Sequence, residues 1–99
     1  MARVTYAPRV ARDLERVHDF LAEHDPKLAL AAVQDIVHAV SMLERHPLIG
    51  RPVEAGLREL VISRGRTGCV ALYDFLEPID TVVILAVRHQ REAGFDELG

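Results

Sequence analysis

The side chains with the most chemical capacity in this chain stand together at the end of an apolar run. "TVVILA" (81–86) leads through Val87 into Arg88, His89, Gln90 and Arg91. Arginine offers a flat fork of donors that matches carboxylate or phosphate. Histidine changes charge near neutral pH. Such a cluster is either a strand leaving the core for solvent or a site mounted on the rim of a sheet. Arg58, Arg64, Arg66 and the phenol of Tyr73 lie in or between the strand-like runs just upstream. Of the 12 cations only Lys27 is a lysine. That bias suits a surface that recognises protein at least as well as one that recognises phosphate, and a GC-rich genome also produces it.

Composition narrows the classes. A net charge of −3 argues against a general attraction to nucleic acid. Ninety-nine residues, 49% of them hydrophobic, form one small domain spanning 1–99, with a core that has little margin. No apolar run approaches the ~20 residues that cross a bilayer, and "MARVTYAPRV" lacks the apolar stretch of a secretory signal. The single cysteine, Cys69, cannot close an intrachain disulfide, which fits a reducing cytoplasm. Its strand-like setting, "CVALYDF", reads as a buried thiol. His18, His24, His38 and His46 lie on or beside helices without a metal-ligand spacing, so no metal is expected. There is no glycine-rich phosphate loop and no GxSxG elbow, and no cofactor is expected.

These residues have to be positioned by the elements around them. "RVTYA" (3–7) reads as a short first strand. After Pro8, the apolar residues Val10, Leu14, Val17 and Leu21 fall at helical spacing, with Arg12, Asp13, Glu15, Arg16 and Asp19 between them. Asp25-Pro26 opens a second helix whose apolar stripe is Ala29, Val33, Ile36, Val40 and Leu43, widened by Leu30 and Val37. His46-Pro47 ends it. The short connection makes the two helices an antiparallel hairpin. Beyond the Pro/Gly-rich loop 47–56, the runs 57–63, 69–76 and 81–89 read as three strands of an antiparallel meander. The order β-α-α-β-β-β predicts an α+β fold, with the helix hairpin on one face of a mainly antiparallel four-stranded sheet. The last strand is apolar on both faces, which makes it central. One layer of helices covers one face, so the other face calls for a C-terminal segment, a partner chain or a second copy.

With those residues placed, the chain resembles the RelE/ParE superfamily of bacterial type II toxins. The resemblance runs from residue 3 to residue 94. It rests on the element order, the "HPLIGRPV" turn, the "LRELVIS" strand, the aromatic strand "VALYDF" and the ending "VVILAVRHQREAG". It implies growth arrest, a role in plasmid stabilisation, and a cognate antitoxin whose C-terminal segment wraps the toxin and supplies the missing cover. It leaves open a homodimer or a toxin–antitoxin heterotetramer. It also implies one of two targets. RelE-like members cleave messenger RNA on the ribosome, and ParE-like members poison DNA gyrase without hydrolytic chemistry of their own.

Cleavage through a 2′-hydroxyl needs a base, an acid and cations on the phosphate. His89 would serve as base or acid, Tyr73 as a proton donor, and Arg58, Arg64, Arg66, Arg88 and Arg91 as clamps. Against that stand the acidic, lysine-poor composition and the tail "EAGFDELG", which adds Glu92, Asp96 and Glu97 and no tyrosine. "RHQR" is similar to the ParE-like ending. The expectation is therefore a gyrase inhibitor that binds through Arg58, Arg64, Arg66, Arg88, His89 and Arg91. The alternatives are a ribosome-dependent mRNA endonuclease using His89, Arg58, Arg88 and Tyr73, and an inactive homologue that only binds antitoxin. Arg58 is expected to pair with a cross-strand acid such as Asp74.

Overall fold

The structure is a computed structural model and describes residues 1–63 and 68–90. Strand β1 is Arg3–Tyr6, helix α1 is Arg9–Ala22 and helix α2 is Pro26–Ser41. Strands β2 (Arg51–Pro52), β3 (Arg58–Val61), β4 (Cys69–Leu76) and β5 (Thr81–His89) follow. They form one sheet in the order β1-β5-β4-β3-β2. β1 runs parallel to β5, and the other pairings are antiparallel. The α+β reading holds, with one difference. The sheet has five strands because Arg51 and Pro52 pair with Glu59 and Arg58. A two-residue strand containing proline carries no period-2 signal, so it reads as loop.

The helix ends follow local chemistry. The Asp25 carboxylate accepts the Lys27 N–H at 3.0 Å, and Pro26 occupies the first turn of α2, where its missing N–H costs nothing. α1 starts without a side-chain cap, and the Ala7 carbonyl accepts the Val10 N–H at 3.0 Å. The core lies between the hairpin and one face of the sheet. It contains Val10, Val17 and Leu21 of α1, Ala29, Ala32, Ile36 and Val40 of α2, and Cys69, Ala71, Tyr73, Val82, Ile84 and Val87 of the sheet. Small residues on α2 let the helices approach closely, as "LALAAV" suggests. Leu30 and Val37 do not widen the buried stripe. They remain 56% and 53% exposed.

One irregularity decides where the β5 side chains point. Leu72 pairs with Ala86, but Tyr73 pairs with Ile84, so Leu85 is an extra residue on β5. Successive side chains in a strand alternate faces, and a β-bulge shifts that phase by one. Without it, Val82, Ile84, Ala86 and Arg88 would share the helix face. With it, Val82, Ile84, Val87 and His89 face the helices, and Arg88 faces the other way. On that second face Val70, Leu72 and Ala86 are buried, and Val83, Leu85 and Arg88 are half-buried.

Candidate functional site

The described candidates divide among three places. His89 is 1% exposed and lies on the helix face, cross-strand from Cys69. Its ring packs at 5.1 Å, tilted 47°, against Phe20 of α1, which meets His24 edge-on at 6.5 Å. Arg88 lies on the opposite face beside Val70, and its Nη1 donates to the His89 carbonyl at 3.3 Å. Arg58 sits at the other end of the sheet, paired with Tyr73. Arg64, Arg66 and Arg91 lie outside the described residues. Adjacent in sequence, Arg88 and His89 thus serve opposite faces, and neither neighbours Arg58.

Arg58 and Tyr73 act together on the segment 47–50. The Tyr73 hydroxyl donates to the Pro47 carbonyl at 2.8 Å and accepts the Gly50 N–H at 2.8 Å. Arg58 Nη1 donates to the carbonyls of Leu48 (3.1 Å) and Gly50 (2.8 Å). The His46 carbonyl closes the turn by accepting the Ile49 N–H at 3.1 Å, with Pro47 at the position where its fixed φ suits a β-turn. Gly50 is required by contact. A Cβ there would stand 2.6 Å from the Tyr73 ring and hydroxyl. Burial pushes the Tyr73 phenol above its usual pKa, against the smaller opposing pulls of the Gly50 N–H and the Arg58 charge. It therefore stays protonated and keeps its donor. Asp74 is not the partner of Arg58. It lies one residue further along β4, on the opposite face, and the ion pair in this region joins Arg51 to Glu59 at 2.7 Å.

Asp13 was also placed wrongly by sequence reasoning, which read it as one of the polar residues between apolar positions. It is 2% exposed and faces β5. Its carboxylate accepts from Arg9 (3.2 Å, both oxygens), from Arg16 (2.7 Å) and from the Val87 N–H (3.0 Å). Arg16 also donates to the Val87 carbonyl at 3.0 Å. The cause is topological. β1 pairs with β5 only as far as Ile84, so the backbone of Val87 needs partners of another kind. Asp13 and Arg16 supply them. Burial alone would raise the Asp13 pKa, but the hydrogen bonds from Arg9, Arg16 and Val87 together outweigh it and hold the carboxyl below its ordinary value. One sign was present in the sequence. Val10, Asp13 and Val17 are at i, i+3 and i+7, one helical face.

Beside this junction, residues of α1, α2, β1 and β5 line an apolar groove of about 210 Å³. Tyr6, Val10, Ala11, Leu14, Val37 and Val87 are among its walls. Tyr6 and Val37 are each 53% exposed, and Leu30 lies two turns before Val37. The groove offers shape and apolar area but no reactive group. Among the described residues no group of three or more His, Cys, Asp or Glu side chains is placed to hold a metal ion. No described helix is long and apolar enough to cross a membrane.

Comparison with known proteins agrees with this architecture. Residues 4–94 match the family model described as ParE toxin of type II toxin–antitoxin system, parDE. Toxin RelE3 of Caulobacter vibrioides is 34% identical over 92 residues, covering 93% of this chain and 98% of that protein. The chromosomal ParDE toxin–antitoxin system from P. aeruginosa contains a chain 29% identical, with a TM-score of 0.75 over 90% of this chain and 96% of that one. A chain of the toxin–antitoxin complex RelBE2 from Mycobacterium tuberculosis is 28% identical, with a TM-score of 0.63 over 90% and 98%. With one continuous match across the strand, helix hairpin and meander, this chain belongs to the ParE toxin family, within the RelE/ParE superfamily of type II toxins.

Proposed function

We propose that this toxin arrests growth by binding DNA gyrase, without chemistry of its own, and that a cognate antitoxin silences it in the cytoplasm. The observation that carries the first half is the placement of the two proton-transfer candidates. The His89 ring is buried against Phe20, and the Tyr73 hydroxyl is engaged by Pro47 and Gly50. General acid–base catalysis needs both groups within hydrogen-bond reach of one substrate. Here they sit four residues apart along the β4 pairing, in separate environments. Arg88 and, beyond the described residues, Arg64, Arg66 and Arg91 then serve as target contacts. The similar proteins divide between ParE and RelE toxins, and it is the placement of these side chains that favours the binding mode.

The test is biochemical. Toxin freed from antitoxin is added to purified gyrase with relaxed plasmid, and separately to ribosomes programmed with messenger RNA. Inhibited supercoiling with trapped cleavage complexes and intact message is the expected result. Cut message with unimpaired supercoiling would overturn it in favour of the endonuclease.

The antitoxin half rests on the groove. An apolar cleft between two helices, continuing onto the exposed Val37 and Leu30, fits the apolar face of an amphipathic segment. The similar chains in the P. aeruginosa and M. tuberculosis structures belong to toxin–antitoxin pairs, which supports a partner of that kind here.

A further inference from the structure

The turn 46–50 is held more firmly than a surface connection requires, yet the two side chains at its tip are left out of the core. Four hydrogen bonds from Tyr73 and Arg58 fix the backbone at Pro47, Leu48 and Gly50. Leu48 and Ile49 are 57% and 55% exposed. Single exposed apolar residues are ordinary. Two adjacent ones on a backbone fixed by the buried Tyr73 and the half-buried Arg58 are a preorganised contact, because the ordering cost of docking has been met in the free protein. The surroundings are cationic. Arg45 is exposed just before the turn and Arg51 is exposed just after it. Among the described residues no carboxylate lies within ion-pair distance of Arg45 or Arg58, while Arg51 is balanced by Glu59.

We infer that Leu48 and Ile49 form a prong that inserts into an apolar socket rimmed by carboxylates on the target protein, not on the antitoxin. This rests on the reading that the chain is an active toxin with a macromolecular target. The apolar tip supplies desolvated area, and the arginines around it set orientation and approach. Assignment to the target follows from location. The antitoxin groove is walled by α1 and α2 and floored by Tyr6 of β1 and Ile84 and Val87 of β5, whereas the prong stands over Tyr73 of β4 and Arg58 of β3, toward the β3–β2 edge. Tyr73 is one strand spacing, roughly 5 Å, from its partner Ile84 on the groove floor, and Arg58 is a further spacing out, roughly 10 Å from β5. A segment confined between the two helices stays on the β5 side of that spacing and leaves the prong open.

The experiment uses the full chain. Leu48→Asp/Ile49→Asp and the uncharged Leu48→Ser/Ile49→Ser are each induced without antitoxin, and viable counts are taken. Each is also purified with antitoxin for calorimetry and thermal melting. For both variants the growth defect should fall by at least about tenfold, as for loss of a buried apolar anchor. Melting and antitoxin affinity should stay near those of the wild type. Arg45→Glu should weaken toxicity less, and more so at low salt. Toxicity equal to wild type in the serine variant overturns the inference. So does a parallel loss of antitoxin affinity with unchanged melting, because the prong would then belong to the antitoxin. A wild-type chain without any growth effect overturns it as well. Growth is read whatever the target, so failure to bind purified gyrase would sink the gyrase assignment and leave this result standing.

Discussion

Two junctions in this molecule solve the same problem with opposite chemistry. At the α1–β5 junction, Asp13 and Arg16 satisfy the backbone of Val87 with a buried carboxylate and its arginines. At the junction between the 46–50 turn and the sheet, Tyr73 and Arg58 satisfy the backbone of Pro47, Leu48 and Gly50 with a neutral phenol and a cation that has only carbonyl partners. The first is an ion network beside the apolar groove. The second is a lock without an ion pair among the described residues, beneath a projecting turn. A charged clip depends on all its members being ionised, because a lone buried charge is costly. A phenol lock depends only on shape and one proton. The first junction should therefore fail sharply on mutation or acid, and the second should fail locally.

The largest effect is expected at Asp13. Asp13→Ala removes the carboxylate shared by Arg9, Arg16 and the Val87 N–H and should cost about 3 kcal/mol, the low end for a broken buried pair because both arginines reach solvent and Arg16 keeps the Val87 carbonyl. Asp13→Asn keeps an acceptor for Val87 and should cost less. Urea unfolding measures both. The pH dependence follows from the depressed carboxyl. Its stabilisation is fully present above about 4, the unfolded value, and drains away as the pH falls through the lower folded value. Asp13→Asn should flatten the stability profile in that window. An unchanged slope would mean that the clip carries little of the acid sensitivity.

The next largest is Tyr73→Phe, which keeps the ring and removes the partner of both Gly50 and Pro47. Leaving buried polar groups unpaired costs about 1–3 kcal/mol. The comparison is sharpened by a second readout. If the lock serves the prong, toxicity should drop while antitoxin affinity is retained, whereas Asp13→Ala should damage both together. Equal loss of both functions in Tyr73→Phe would erase the distinction between the junctions.

Smaller still is Val37→Glu, on the groove wall. Val37 is 53% exposed, so the free toxin should melt normally. A charge facing the apolar side of a bound segment should weaken antitoxin about tenfold, or 1.4 kcal/mol. Unaltered calorimetry would place the antitoxin elsewhere.

These experiments probe features that were unequally legible in the chain. The strand runs 69–76 and 81–89 stand as β4 and β5, because mainly apolar runs rich in Val, Ile and aromatic residues between turn signals allow little else. The helix hairpin was readable from the Asp25-Pro26 start of α2 and the helical spacing of apolar residues. The bulge was not. A strand that is apolar on both faces has no alternation from which a phase shift at Leu85 could be noticed, so His89 read as a rim residue and lies under Phe20. Asp13 was hidden differently. A carboxylate between Arg9, Arg12 and Arg16 looks like a solvated helix face, and only the end of β1 pairing at Ile84 explains why it turns inward. "HPLIGRPV" was readable as a motif, but its reason lies in Tyr73, more than twenty residues away. Side-chain contacts across that separation leave no periodic trace.

The smallest effect lies just beyond the lock and asks whether the turn is held by Tyr73 and Arg58 or by its own backbone. Ala55 adopts φ 59° and ψ 27°, in the left-handed region, directly before Gly56 at φ 76°. For alanine that conformation costs about 1–2 kcal/mol, and glycine would recover it at an entropic cost of about 0.5–1 kcal/mol. Ala55→Gly should therefore raise stability by up to about 1 kcal/mol, a few degrees in Tm for a domain of this size. If the lock holds 46–50 independently of the strained 54–56 turn, combining Ala55→Gly with Tyr73→Phe should give additive changes, as for sites without shared partners. A coupling larger than about 0.5 kcal/mol would show instead that the strained turn is part of what keeps the prong in place.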